Sequence, residues 1–88
     1  MDWIIKEYHL NPEQVNALLN LFDKYNGFYV FYIKPGHSLN LDSEYVSFRE
    51  LYLLGLLDMD IYKNNSSYGR VYMIPRIIKD ILSSYKDR

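Results

Sequence analysis

Apolar residues recur along this chain with two different periods, and the changes from one to the other divide it into elements. In "LNPEQVNALLNLFDKYNG", residues 10 to 27, Val15, Leu18, Leu19 and Phe22 fall at i, i+3, i+4 and i+7, the spacing that gathers side chains on one helical face. The punctuation agrees. Asn11 is a good N-cap, Pro12 suits the first helical position, Gln14 sits where a capping box places its second partner, and Gly27 can end the helix. The pattern predicts a helix over 12–25. The next stretch, "FYVFYI" at 28–33, is aromatic and β-branched throughout and is closed by Lys34 and a Pro-Gly turn, which predicts a strand.

After the loop "PGHSLNLDSE", the segment "YVSFRELYLLGLL" pairs Ser47 with Glu50 at capping-box spacing and sets Val46 and Leu51 around them as a hydrophobic staple. This predicts a short helix from Phe48, of about two turns, stopped by Gly55. "DIYK" and "RVYMI" read as two strands, 59–63 and 70–74, joined across the loop "NNSSYG". Pro75 opens a last helix, whose Ile77, Ile78, Ile81, Leu82 and Tyr85 share helical spacing and leave Arg76, Lys79, Asp80 and Lys86 toward water. The apolar residues of "DWIIKEYHL" fit neither period. The expected fold is α+β, a single domain over residues 1–88 in the order helix, strand, helix, β-hairpin, helix, with "FYVFYI" joining the hairpin in a three-stranded antiparallel sheet.

In residues 46 to 82 a helix ends in the step Leu54-Gly55-Leu56, a hairpin with a polar tip follows, and a helix closes the segment. This stretch resembles the second half of a winged helix-turn-helix domain. The resemblance implies a small winged-helix-like domain that binds duplex DNA, with residues 47–54 in the major groove and the hairpin as a wing against phosphates or the minor groove. Carried over residue by residue, Arg49 and Tyr52 face the groove, and Lys63, Asn64, Asn65, Ser66, Ser67, Tyr68 and Arg70 are presented by the wing. One departure stands out. A winged helix places another helix just before the groove helix, and here "HSLNLDSEY" leaves room for at most one helical turn. An unrelated α+β fold that finishes with a hairpin and a helix is the alternative.

Charge changes the picture more by its distribution than by its sum. Ten basic and eleven acidic residues leave a net −1. Residues 1–60 hold four basic and nine acidic residues, a net −5, whereas residues 61–88 hold six basic and two acidic, a net +4. The basic end coincides with the expected wing and last helix, where phosphate contacts would fall. Glu50, Asp58 and Asp60 lie beside the expected groove helix and argue against DNA. Ten tyrosines invite base stacking, with Tyr68 the least easily explained by packing, although half-buried strand tyrosines account for Tyr29, Tyr32, Tyr62 and Tyr72.

The remaining composition closes routes. With no cysteine the chain has no disulfide, thiolate nucleophile or cysteine zinc site. His9 and His37 lack the spacing of a metal pair, no Gly-x-Ser-x-Gly elbow or phosphate-cradling glycine loop is present, and the serines sit in cap, loop or helix-end contexts. Neither an enzyme, a metal nor a cofactor is expected. No apolar run approaches the ~20 residues that span a bilayer, and the start lacks the flanks of a signal peptide, so a cytoplasmic location away from membranes is expected.

Two functions remain. One is a winged-helix transcriptional regulator that binds double-stranded DNA as a homodimer, paired through Trp3, Ile4, Ile5 and Tyr8 or through the last helix. The other is a protein-binding module, an inhibitor or adaptor in the style of viral or plasmid proteins, that uses its acidic first half or its aromatic surface.

Overall fold

The computed structural model describes residues 2–34, 36, 38–65 and 67–86, with side chains given for these except Asp2, Leu41, Tyr85 and Lys86. The expected loop residues Pro35, His37 and Ser66 therefore lie outside the described residues. The fold is α+β, with four α-helices and a three-stranded antiparallel sheet among the described residues.

Helix α1 (Asp2–Tyr8) takes up the segment that fitted neither period. Seven residues are too few for a period to show, and tertiary packing decides instead: Ile4 is fully buried, and Ile5 and Tyr8 pack against the core. Helix α2 (Pro12–Asp23) starts as its sequence predicts. The Asn11 Oδ1 accepts from the Gln14 N–H at 2.8 Å, and the Gln14 Oε1 accepts from the Asn11 N–H at 3.0 Å, closing the capping box. It ends two residues earlier than expected, at Asp23, and the chain then reverses through the left-handed Asn26 and Gly27.

Strand β1 (Phe28–Tyr32) leads to a single 3-10 turn (Leu39–Leu41), which is all that precedes helix α3 (Ser43–Leu53). Here the expected helix start is corrected. The helix begins four residues before Ser47, because the Asp42 carboxylate accepts from the N–H groups of Glu44 at 2.9 Å and Tyr45 at 3.1 Å. Ser47 is thus a buried mid-helix residue and caps nothing, the Val46–Leu51 staple falls away, and α3 runs three turns instead of two. Its end is where the sequence placed it. Gly55 takes φ +87, a conformation that favours glycine, and its N–H donates to the Tyr52 carbonyl at 2.9 Å.

Strands β2 (Asp58–Asn64) and β3 (Ser67–Met73) form a longer hairpin than expected. Asn64 pairs with Ser67, so the strands run well into the expected six-residue loop. Asn65 supplies the positive φ, +51, that a two-residue hairpin turn demands. The first strand joins on the far side of the second hairpin strand, in the order β1-β3-β2, with Phe31 opposite Arg70 and Tyr29 opposite Tyr72.

The core lies between this sheet and the helices. Tyr72 on β3 is surrounded by the rings of Phe31, Tyr45, Phe48 and Tyr52, with centroids 6.0–6.2 Å away. These are separations at which edge-to-face pairs are favourable. Several tyrosines are thereby consumed by packing. Helix α4 (Arg76–Lys86) buries Leu82 and half-buries Ile78 and Ile81, but Ile77 is 74% exposed, against the expectation that it joins the core. Among the described residues no helix is long and apolar enough to cross a membrane.

Candidate nucleic-acid interface

The residues singled out on the hairpin divide between its two faces. Side chains alternate along a strand and directly paired residues share a face. Arg70 lies opposite buried Phe31, two positions from buried Tyr72, so Tyr68, Arg70 and the Lys63 opposite Tyr68 all belong to the face that meets α3. Asn64 and Ser67 belong to the other face, and the Asn64 Nδ2 donates to the Tyr62 Oη at 3.4 Å. Asn65 occupies the turn.

Arg49 and Tyr52 stand three residues apart on α3 and are both exposed. Tyr52 is steadied by its ring contact with Tyr72, and the Arg49 Nη1 donates to the Asn40 Oδ1 at 3.4 Å. The fold brings Arg49 and Arg70 together. Ser38, Asn40, Tyr45, Arg49 and Arg70, with Ile33 and Leu39, line one cleft of about 400 Å³ between the end of β1, the 3-10 turn and α3.

The chemistry of this cleft is cationic. The Arg70 Nη1 donates to the Tyr45 Oη at 3.0 Å, and neither arginine has a carboxylate partner among the described residues. Tyr45 beside it, helped by hydrogen bonding to Tyr72, holds the Arg70 guanidinium above its ordinary pKa in spite of partial burial. The Tyr72 hydroxyl is pushed up to about 12, chiefly by burial and then by Tyr45, with Arg70 working in the opposite direction. The Tyr45 hydroxyl accepts from Arg70 and orients it, and no carboxylate among the described residues pairs with it.

On the other flank of α3, Glu13, Asn16, Asn20, Ser43, Glu44 and Glu50 contribute to a groove of about 500 Å³ between α2 and α3. The Glu44 Oε1 accepts from the Tyr25 hydroxyl at 2.9 Å, and this bond, with burial and the charge of Glu44, raises the Tyr25 pKa. Asn40 lines both hollows.

Sequence reasoning missed Ser38, Asn40 and Tyr45. Their part in the cleft depends on the 3-10 turn and on the early start of α3, and the unused signal was Asp42, an equally good cap five residues before Ser47. It also assigned a dimer contact to Trp3, Ile4, Ile5 and Tyr8. Of these only Trp3, 55% exposed, presents itself to a partner, because Ile4 is sealed in the core and Ile5 and Tyr8 pack against it. No group of three or more residues able to hold a metal occurs among the described residues. Comparison with known protein families, with curated proteins and with solved structures gave no match.

Proposed function

We propose that this protein binds duplex DNA through α3 and the β2–β3 hairpin, as a small winged-helix regulator. The observation that carries the reading is the meeting of Arg49 and Arg70, from separate elements, in one cleft with no carboxylate among its described lining residues. Two guanidinium groups lining one cleft attract an anion that enters it, and a polyanion laid along it would gain from both. Lys63 on the same hairpin face extends the positive strip toward the tip. The order helix, strand, turn, helix, hairpin, helix also supports the winged-helix resemblance, with the 3-10 turn in the place of the missing helix. A short helix and a hairpin contact few phosphates, so we propose further that the protein works as a two-fold dimer, with Trp3 on α1 and Ile77 on α4 the exposed apolar residues available for pairing.

A salt-dependent titration with a fluorescent duplex tests this. Log K is expected to fall linearly with log salt, by about 0.9 for each phosphate engaged. An absence of affinity at low salt, where phosphate attraction is greatest, overturns the reading. Light scattering tests the dimer, which a mass of 10.6 kDa at high concentration would contradict.

A second reading, a protein-binding module, is favoured by the face of the sheet turned away from α3. It carries Phe28, Val30, Tyr32, Tyr62, Val71 and Met73, with Phe28 58% and Tyr32 50% exposed. Aromatic surface of this kind anchors protein interfaces.

A further inference from the structure

The geometry points to the Arg49–Arg70 cleft as a seat for a single phosphate of the DNA backbone, so that Arg49 positions the duplex and does not read a base edge, an inference that rests on the duplex-binding reading above. An arginine that pairs with guanine must extend its fork out of the helix into the groove. The fork of Arg49 instead turns along its own helix toward Asn40, nine residues earlier, and lines the cleft that Arg70 enters from the sheet.

Each arginine is held by a neutral oxygen, Asn40 Oδ1 at 3.4 Å for Arg49 and Tyr45 Oη at 3.0 Å for Arg70. A guanidinium has five N–H donors, so both retain several that are uncommitted. The lining adds the Ser38 hydroxyl and the amide of Asn40, whose Oδ1 faces Arg49 and whose Nδ2 is left to donate. A hollow rich in donors, with two fixed positive charges and no carboxylate, suits a tetrahedral oxyanion that accepts on every corner. At about 400 Å³ it is larger than one phosphate needs, which leaves room for a diester to enter and leave as a continuous strand. Two arginines on one phosphate form a unit, and their effects are therefore not additive.

The test has two arms. In the first, side-chain Nε–H and backbone amide NMR signals are followed as inorganic phosphate replaces chloride at matched ionic strength. Saturable shifts at Ser38, Asn40, Arg49 and Arg70 are expected, weakened about tenfold or more in Arg49→Ala, which removes an exposed side chain that the fold does not need. In the second arm, duplex binding is measured against salt for Arg49→Ala, Arg70→Ala and the double variant. One shared phosphate lowers the slope by about 0.9 in the double variant, whereas two separate phosphates lower it by about 1.8. Arg49→Ala is also expected to weaken all sequences equally.

Should Arg70→Ala fail to fold, Arg70→Lys, which keeps the charge and loses the fork, replaces it and weakens phosphate binding at an unchanged salt slope. A slope falling by about two contacts, or a loss of sequence preference in Arg49→Ala, overturns the shared seat while duplex binding stands. Phosphate shifts in the cleft without duplex affinity overturn the DNA reading and leave an oxyanion site. No saturable shift at the cleft overturns the seat outright.

Discussion

Helix α3 separates two hollows of similar size and opposite charge. The one toward the sheet, about 400 Å³, is lined by Arg49 and Arg70, and the one toward α2, about 500 Å³, is lined by Glu13, Glu44 and Glu50. Arg49 and Glu50 are neighbours in sequence and line opposite hollows, so a single helical step of about 100° changes the sign of the surface. A net charge of −1 therefore says little about this protein's partners. A polyanion meets one flank of α3 as attractive and the other as repulsive, and the pair together would fix which side of the helix faces DNA. The partners of the charged groups differ as well. Each is a tyrosine hydroxyl, but the Tyr45 Oη accepts from Arg70 whereas the Tyr25 hydroxyl donates to Glu44.

The largest effect is expected when the cationic hollow is made acidic like its neighbour. Arg49→Glu is expected to lower duplex affinity by about a hundredfold at low salt, since it removes one attraction and adds one repulsion. Anisotropy titration reads this. A loss confined to one DNA sequence would show that Arg49 reads a base after all.

Alkaline titration probes the buried tyrosine that packs behind Tyr45 and Arg70. Tyr72 ionises near 10 in the unfolded chain and at about 12 in the fold. Between those values the folded state holds the extra proton. Its contribution to stability is therefore complete below about pH 10 and is lost as pH rises toward 12, by on the order of 1–3 kcal/mol. Denaturant midpoints measured across that window are expected to fall, and the decline is expected to be smaller in Tyr72→Phe. An equal decline in both proteins would place the effect elsewhere.

The wall between the two hollows depends on a single carboxylate. Asp42→Ala removes the acceptor for the Glu44 and Tyr45 N–H groups and is expected to cost about 1 kcal/mol of stability, readable by thermal or urea unfolding. By contrast Ser47→Ala, at the position the sequence offered as the cap, is expected to show no capping loss.

The smallest effect comes from the acidic side. Glu50→Gln is expected to raise duplex affinity by about twofold to threefold at low salt and not at high salt, as a screened repulsion between exposed charges would. An unchanged affinity at low salt would mean that DNA does not approach that flank.

Much of the fold was legible because its local signals were unopposed. Asn11, Pro12 and Gln14 mark the start of α2, and no residue nearby competes with them. The aromatic run of β1 likewise has one sensible reading. The start of α3 was not legible, because Asp42 and Ser47 are both acceptable caps and the choice belongs to packing: the longer helix brings Tyr45 onto Phe31 and Tyr72. The same five residues hid the candidate site. With the helix begun at Phe48, Arg49 is an end residue pointing to solvent. With it begun at Ser43, Tyr45 holds Arg70 beside Arg49. Gly69 is another choice made by tertiary structure. Any Cβ there would lie 2.5 Å from the Phe31 carbonyl oxygen, and the rings of Tyr32 and Tyr62, its partners on either side, meet at 5.6 Å.

The most direct test of the account is the amide chemical-shift footprint of a short duplex on isotope-labelled protein at low salt. Shifts are expected to gather at Ser38, Asn40, Arg49, Lys63, Tyr68 and Arg70 and to leave Glu13, Asn16 and Asn20 still. Shifts gathered on Phe28, Tyr32 and Tyr62, or no saturable shifts at all, would contradict it.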